Sequence, residues 1–267
     1  MAEVIDIDDP TDPRVDDFRD LSNSDRRPDL PGRKGLVIAE GVVVVQRMLD
    51  SRFAPTALLG VGKRLETLAE DLADRDLPYY RASAQVMAEV VGFHLNRGVL
   101  AVAPRPAELT VEEVLEGART VAVLEGVNDH ENLGSMFRNA AGLGADAVLF
   151  GDRCADPLYR RAVRVSMGHV LRVPFAQLPQ WPQSLDLLRD RDFQVIALTP
   201  DPAAVNLATA MTGERVALLL GAEGPGLTEE AMRATDVRAR IPMSPGTDSL
   251  NVATAAAMAF YERVRTS

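Results

Sequence analysis

Apolar and polar positions divide the chain into short apolar runs alternating with amphipathic stretches. Residues 36–39 (Leu-Val-Ile-Ala) form an apolar run of strand length. Residues 40–51 place Val42, Val45, Met48 and Leu49 on one helical face. Val42–Val45 is β-branched, but the length of the segment and its Asp-Ser ending favour a helix. Residues 57–61 read as a strand. Residues 63–75 read as a helix with Leu65, Leu68, Ala69 and Leu72 on one side, and Ser83 opens another helix carrying Val86, Met87 and Val90. Residues 98–103 are a strand closed by Pro104 and Pro106. A polar stretch with two prolines at 103–110 reads as a linker.

A second series follows the linker. It comprises a strand at 121–124, a helix at 132–143 ended by Gly142 and Gly144, and strands at 147–150, 195–198 and 216–220. An Ala-rich helix closes it, from about 250 to 264. Fully apolar strands alternating with helices predict an α/β fold with a parallel sheet covered on both faces. The expected organisation is an arm over 1–29, a smaller α/β domain over 30–107 and a larger one over 108–267. No internal repeat is visible.

The arm is predicted from its composition, because the first 29 residues hold ten acids, four arginines and three prolines. Its first ten residues carry four acids and no base, unlike a secretory signal. No apolar run reaches the roughly 18 residues of a membrane span. The 267-residue chain is 46% hydrophobic and 25% charged, which excludes a disordered or low-complexity protein. Its one cysteine, Cys154, excludes an internal disulfide framework and a multi-Cys zinc site. His94, His130 and His169 are too widely spaced to suggest a metal site, so no metal is expected, and a reducing cytoplasmic compartment fits. A net charge of −10 argues against a nonspecific nucleic-acid coat but not against a local basic face. From 152 to 172 there are five arginines against two aspartates. Arg153, Arg160 and Arg161 are therefore candidates for holding phosphates, with a solvated helix face as the alternative. Trp181, between Pro179 and Pro182, and Cys154 read as packing residues.

Four segments carry candidate chemistry. Gly142-Leu-Gly-Ala-Asp-Ala is not a dinucleotide fingerprint, because its glycines close a helix and the third is missing. Leu218–Thr228 is an apolar strand, a loop with Gly221, Gly224 and Gly226, and a helix opening at Thr228. Such a loop is either a ligand site at a strand end or a buried turn, and Glu223 among its glycines favours the site. It lacks the Gly-Lys-Ser/Thr of a P-loop. Asn128–Ala140 leads into a helix that carries Arg138. Ile241–Thr254 leads through a polar loop into the last helix, with Ser249 and Asn251 near its start.

Together, Asn132-Leu-Gly-Ser-Met-Phe-Arg-Asn-Ala140, Leu220-Gly-Ala-Glu-Gly-Pro-Gly-Leu227 and Ile241-Pro-Met…Ser249-Leu-Asn-Val252 resemble the three motif blocks of the SpoU (TrmH-type) branch of the SPOUT RNA methyltransferases. The resemblance covers about residues 119–265. Residues 86–101 are also similar to the end of an L30e-like RNA-binding domain, which would make 30–107 the substrate-binding module. The resemblance implies a C-terminal deep trefoil knot, a homodimer formed through the knotted domain, and S-adenosylmethionine as cofactor. Carried over by position, Leu198, Thr199, Gly221, Ile241, Met243 and Leu250 are the expected cofactor contacts.

The implied reaction is methyl transfer to a ribose 2′-hydroxyl of RNA, with ribosomal RNA favoured over transfer RNA. That hydroxyl must be aligned with the sulfonium methyl and lose its proton. The family proposal makes Arg138 the base, but a guanidinium stays protonated at working pH. The other role for Arg138 is to hold the adjacent phosphate and favour the alkoxide electrostatically. Asn132, Glu223, Ser249 and Asn251 are expected to orient Arg138 and the ribose. The rivals are an RNA-binding relative without activity, a methyltransferase acting on a base or on protein, and a dehydrogenase, which the missing fingerprint disfavours.

Overall fold

The computed structural model of the chain describes residues 2–22 and 34–266. They fall into two units. The first takes the described residues up to Ala107 together with Leu158–Arg172, and the second takes Glu108–Pro157 and the chain from Val173 onward.

The first unit contains β1 (Glu3–Ile7), β2 (Leu36–Glu40), β3 (Ala57–Gly60), β4 (Pro78–Ala82) and β5 (Val99–Pro104), in the order β1-β4-β3-β5-β2. The neighbours β1, β4 and β3 run parallel, whereas β5 is antiparallel to both β3 and β2. This sheet is therefore mixed, unlike the parallel one expected. Strand β4 was not expected either, although Tyr79-Tyr80 carries a strand signal. The helix expected over 63–75 spans only Gly62–Thr67 and continues as turns, yet Leu68 and Leu72 are still buried.

The acidic arm is corrected over most of its length. Strand β1 lies at the edge of the sheet, where Arg81 of β4 donates to Asp6 through Nε (2.6 Å) and Nη2 (2.7 Å). A charged edge strand discourages pairing with another chain. Pro13–Phe18 then forms a 3-10 helix capped by Asp12. Val15, Phe18 and Leu21 recur every three residues, the period of that helix, and are buried in the core. Many acids surround a few well-spaced apolar residues, so composition concealed the pattern. Residues 23–29 of the predicted arm lie outside the described residues.

The second unit contains β6 (Thr120–Glu125), β7 (Ala147–Phe150), β8 (Phe175–Gln177), β9 (Phe193–Leu198), β10 (Val205–Asn206), β11 (Arg215–Gly221) and β12 (Val237–Arg240). Among the described residues they form one parallel sheet in the order β10-β12-β9-β11-β6-β7-β8. Strand β11 lies between β9 and β6, and its Leu218, Leu219 and Leu220 are fully buried. Each such side chain contributes about 2 kcal/mol by leaving water, so the strand leading into the glycine loop is firmly anchored.

The sequence placed residues 158–172 with the larger domain, but the structure groups them with the first unit. A buried ion pair joins this segment to β2. Arg160 Nη1 donates to Glu40 Oε2 at 2.9 Å, and the Glu40 side chain is only 6% exposed. The Arg160 guanidinium also lies over the Phe93 ring, 4.8 Å from its centroid.

Candidate active site

Three strands of the second sheet deliver their carboxyl ends to one cavity. Strand β9 ends at Leu198 and continues to Thr199, whose backbone N–H donates to the Ala239 carbonyl of β12 at 3.0 Å. Strand β11 ends at Gly221, and β12 runs out through Ile241 and Met243. Leu198, Thr199, Gly221, Ile241, Met243 and Leu250, dispersed over more than 50 residues of sequence, all line this cavity of about 390 Å³. That volume suits a small organic molecule, and the position outside parallel strand ends is where α/β folds bind ligands. Its floor is apolar, with Leu220 and Val252 buried beneath the half-buried Leu198, Ile241 and Leu250.

The glycine loop forms one wall. A Cβ on Gly221 would lie 2.3 Å from the Gly226 carbonyl carbon and from the Leu227 nitrogen, so the loop folds back only over a glycine. The return is fixed by the Gly226 N–H, which donates to the Ala222 carbonyl at 3.0 Å. Gly224 and Gly226 adopt φ of 84° and 72°, in the left-handed region.

Asn251 organises the lip. Its Nδ2 donates to Asn132 Oδ1 and to Glu223 Oε1, each at 2.8 Å. Its Oδ1 accepts from the backbone N–H of Ala253 (3.0 Å) and Thr254 (3.1 Å), capping the helix Val252–Thr266. Asn132 lies in the first turn of the helix His130–Gly142, where Asp129 accepts from its N–H at 2.8 Å. Seven residues further on the same face, Asn139 donates to the Ala253 carbonyl at 2.9 Å and ties the two helices together. One side chain therefore joins residues from all three motif blocks. Glu223, Ser249 and Asn251 line the cavity and are exposed, so this lip is open to a large partner.

Arg138 is not brought to the cavity lining. It stands exposed on the helix His130–Gly142, about 120° around the axis from Asn132. The basic segment also divides. Arg153 is exposed and pairs with Asp152 at 3.3 Å, and Arg161 is exposed. Arg160 is held by Glu40 and Phe93, so its guanidinium is committed to the protein rather than presented to a phosphate. Among the described residues, no three His, Cys, Asp or Glu side chains are grouped to hold a metal ion, and no helix is long and apolar enough to cross a membrane.

Two residues near the site carry more than sequence reasoning assigned them. Glu125, at the end of β6, is 2% exposed. It accepts from Trp181 Nε1 (2.6 Å), from the Thr228 backbone N–H (2.8 Å) and from Thr228 Oγ1 (2.9 Å). Trp181 is thus a hydrogen-bond donor as well as a packing residue. The signal available was a carboxylate ending an otherwise apolar strand, directly before Gly126.

The fold and the cavity define a small-molecule-binding α/β domain whose site is built from three strand-end loops. A sequence model of the SpoU rRNA Methylase family matches residues 119–261, and the chain belongs to that family. An "Uncharacterized tRNA/rRNA methyltransferase" of Mycobacterium tuberculosis (strain ATCC 25618 / H37Rv) is 66% identical over 98% of this chain and 92% of its own length. The 23S rRNA (guanosine-2′-O-)-methyltransferase RlmB of Bordetella pertussis is 30% identical over 76% of this chain and 84% of its own. Among solved structures, an AdoMet-bound rRNA methyltransferase from Sinorhizobium meliloti superposes with a TM-score of 0.80 at 25% identity, covering 98% of both chains.

Proposed function

We propose that this protein is an S-adenosylmethionine-dependent methyltransferase acting on a ribose 2′-hydroxyl of ribosomal RNA. The observation that carries the reading is the cavity in which all six expected cofactor contacts meet, with Asn251 bridging Glu223 and Asn132 at its lip. The residues fit the cofactor. Apolar side chains suit its adenosine, and the backbone amides of Gly221 and Ile241, which line the cavity, would recognise an adenine edge. When bound, it supplies a methyl group activated by a sulfonium charge. The chain's own residues do the rest. Asn132, Glu223, Ser249 and Asn251 orient the ribose, which replaces a bimolecular encounter by an aligned one. Arg138 holds the neighbouring phosphate and favours loss of the hydroxyl proton.

The family relationship supports a deep trefoil knot in the second unit, and the insertion of β11 between β9 and β6 agrees with a threaded topology. An L30e-like RNA-binding role for the first unit is supported by its separate core and mixed sheet. Arg153 and Arg161 remain the phosphate contacts of this reading. A homodimer is supported by Met258, Tyr261 and Val264, which expose 42%, 59% and 55% of their surface along the last helix. An RNA substrate supports a cytoplasmic location.

The test is incubation of the purified protein with radiolabelled S-adenosylmethionine and either ribosomal or transfer RNA, followed by digestion to nucleosides. Label in a 2′-O-methylnucleoside from ribosomal RNA is expected. Label from transfer RNA alone redirects the substrate, label in a base overturns the reaction, and tight RNA binding without label favours an inactive binding protein.

A further inference from the structure

Glu125 is absent from the cavity lining, yet its backbone pairs with one end of the loop that forms one wall and its carboxylate binds the other. It faces Gly221 across the β6–β11 ladder, where the loop begins. Both its carboxylate oxygens accept from Thr228, where the loop ends and the next helix is capped. Gly126, the residue after it, leaves space against Ala222, the first residue of the loop, where a Cβ would lie 3.1 Å from the Ala222 Cβ. The third donor comes from elsewhere. The Trp181 indole packs against Gly151, just after β7, where any Cβ would meet the ring at 2.6 Å. Gly151 is thus the residue that lets the indole N–H reach Glu125 at 2.6 Å. At 2% exposure the carboxylate is costly to leave unpaired, so its three donors are costly to lose.

We propose that Glu125 is a positioning residue for the cofactor loop. Its carboxylate fixes the Thr228 end of the loop that starts at Gly221, and so holds the backbone wall of the cavity and Glu223 in their binding arrangement without touching the ligand. This rests on the reading of the cavity as the S-adenosylmethionine site. Loss of the clamp lowers the fraction of molecules with a competent loop, and the apparent dissociation constant rises by the inverse of that fraction. Once cofactor is saturating, the loop is held by the ligand and turnover is restored.

The experiment compares wild type with Glu125→Gln and Thr228→Val by calorimetric titration of S-adenosylhomocysteine, the demethylated product, and by steady-state methylation. Glutamine keeps the shape but puts an amide N–H where the carboxylate accepts from the Trp181 indole and from Thr228, and it removes the charge that strengthens those bonds. Valine keeps the Thr228 shape but removes its hydroxyl. Both variants are expected to bind about tenfold more weakly and to raise KM for S-adenosylmethionine in proportion, with kcat within about threefold of wild type. Trp181 is the chain's single tryptophan, so its fluorescence reports the clamp directly. Its emission is expected to shift when S-adenosylhomocysteine binds the wild type and to shift less in Glu125→Gln. Variants that melt earlier but keep wild-type affinity and KM overturn the proposal, because Glu125 would then serve stability alone. Thr228→Val removes only one of the three bonds to Glu125; if Glu125→Gln does not fold, Glu125→Asp, whose shorter carboxylate withdraws from Thr228, replaces it, and unchanged affinity there has the same force. Failure of the wild type itself to bind S-adenosylhomocysteine would instead overturn the assignment of the cavity.

Discussion

Replacing Gly221 by alanine adds a single methyl group at the place where the cofactor loop crosses its own start. The added Cβ would sit 2.3 Å from the Gly226 carbonyl carbon and the Leu227 nitrogen, and 2.7 Å from the Gly226 oxygen. Ordinary carbon contact begins near 3.5 Å, so the loop must retreat by about 1 Å. No rotamer change can absorb this, because the obstructing atoms are backbone and Gly226 is already left-handed, at φ 72°. Forcing a methyl into such a place costs about 1–3 kcal/mol. Charged to the bound loop, that cost corresponds to about ten- to a hundredfold in affinity, at about 1.4 kcal/mol per tenfold. Gly221→Ala is therefore expected to melt a few degrees lower and to bind S-adenosylhomocysteine ten- to a hundredfold more weakly, read by calorimetry. Gly142→Ala is the control, since a Cβ there meets nothing within 4 Å and its helix gains about 0.5–1 kcal/mol from losing a glycine. If Gly221→Ala binds and melts like wild type, the loop does not wall the cavity as described.

Arg138→Ala is expected to abolish methyl transfer while leaving S-adenosylhomocysteine affinity within about twofold, since Arg138 stands outside the cavity lining; a wild-type rate on the correct RNA would refute its role. Arg160→Ala leaves the buried Glu40 carboxylate with Arg164 at 4.0 Å and should cost about 3 kcal/mol, seen as earlier melting of the first unit. A variant that melts normally but loses RNA affinity would restore Arg160 as a phosphate contact. Asp12 is held down to about 2, chiefly by the Arg14 side chain and then by the Arg14 backbone N–H. A depressed folded value means that its capping contribution is present above the ordinary 3.8 and is lost as pH falls through about 2. Carboxyl titration by NMR should give that midpoint, and one near 4 would remove the cap from solution.

The second unit was legible because its strands are buried on both faces. Val121–Leu124, Ala147–Phe150 and Val216–Leu220 are unbroken apolar runs, and each is a strand of the parallel sheet. The cavity residues were legible only through the motif resemblance, since no periodicity connects Leu198 to Leu250. The parts that escaped are those where polar residues outnumber the informative ones. Strand β1 buries Ile7 fully but exposes Glu3, Val4 and Asp6, so an edge strand reads as a solvated tail.

Glu125 escaped for a related reason with a different consequence. Apolar periodicity tells which residues leave water, but a buried carboxylate depends on donors that arrive from distant sequence, here from positions 181 and 228. Its partners are a tryptophan between prolines and a helix cap, each of which has a sufficient local explanation. The cap needs only the Thr228 hydroxyl and the Ala231 N–H, which meet at 3.2 Å. Local sufficiency hides the long-range role, because the same hydroxyl that accepts from the helix also donates to Glu125. The motif glycines shape the loop, and the nonmotif carboxylate anchors the end at Thr228. If the clamp acts as argued, S-adenosylhomocysteine should weaken by similar factors in Glu125→Gln and Thr228→Val. The double variant should then bind little worse than either single one, because a shared interaction can be lost only once. Additive losses would mean that the two residues act on the loop separately.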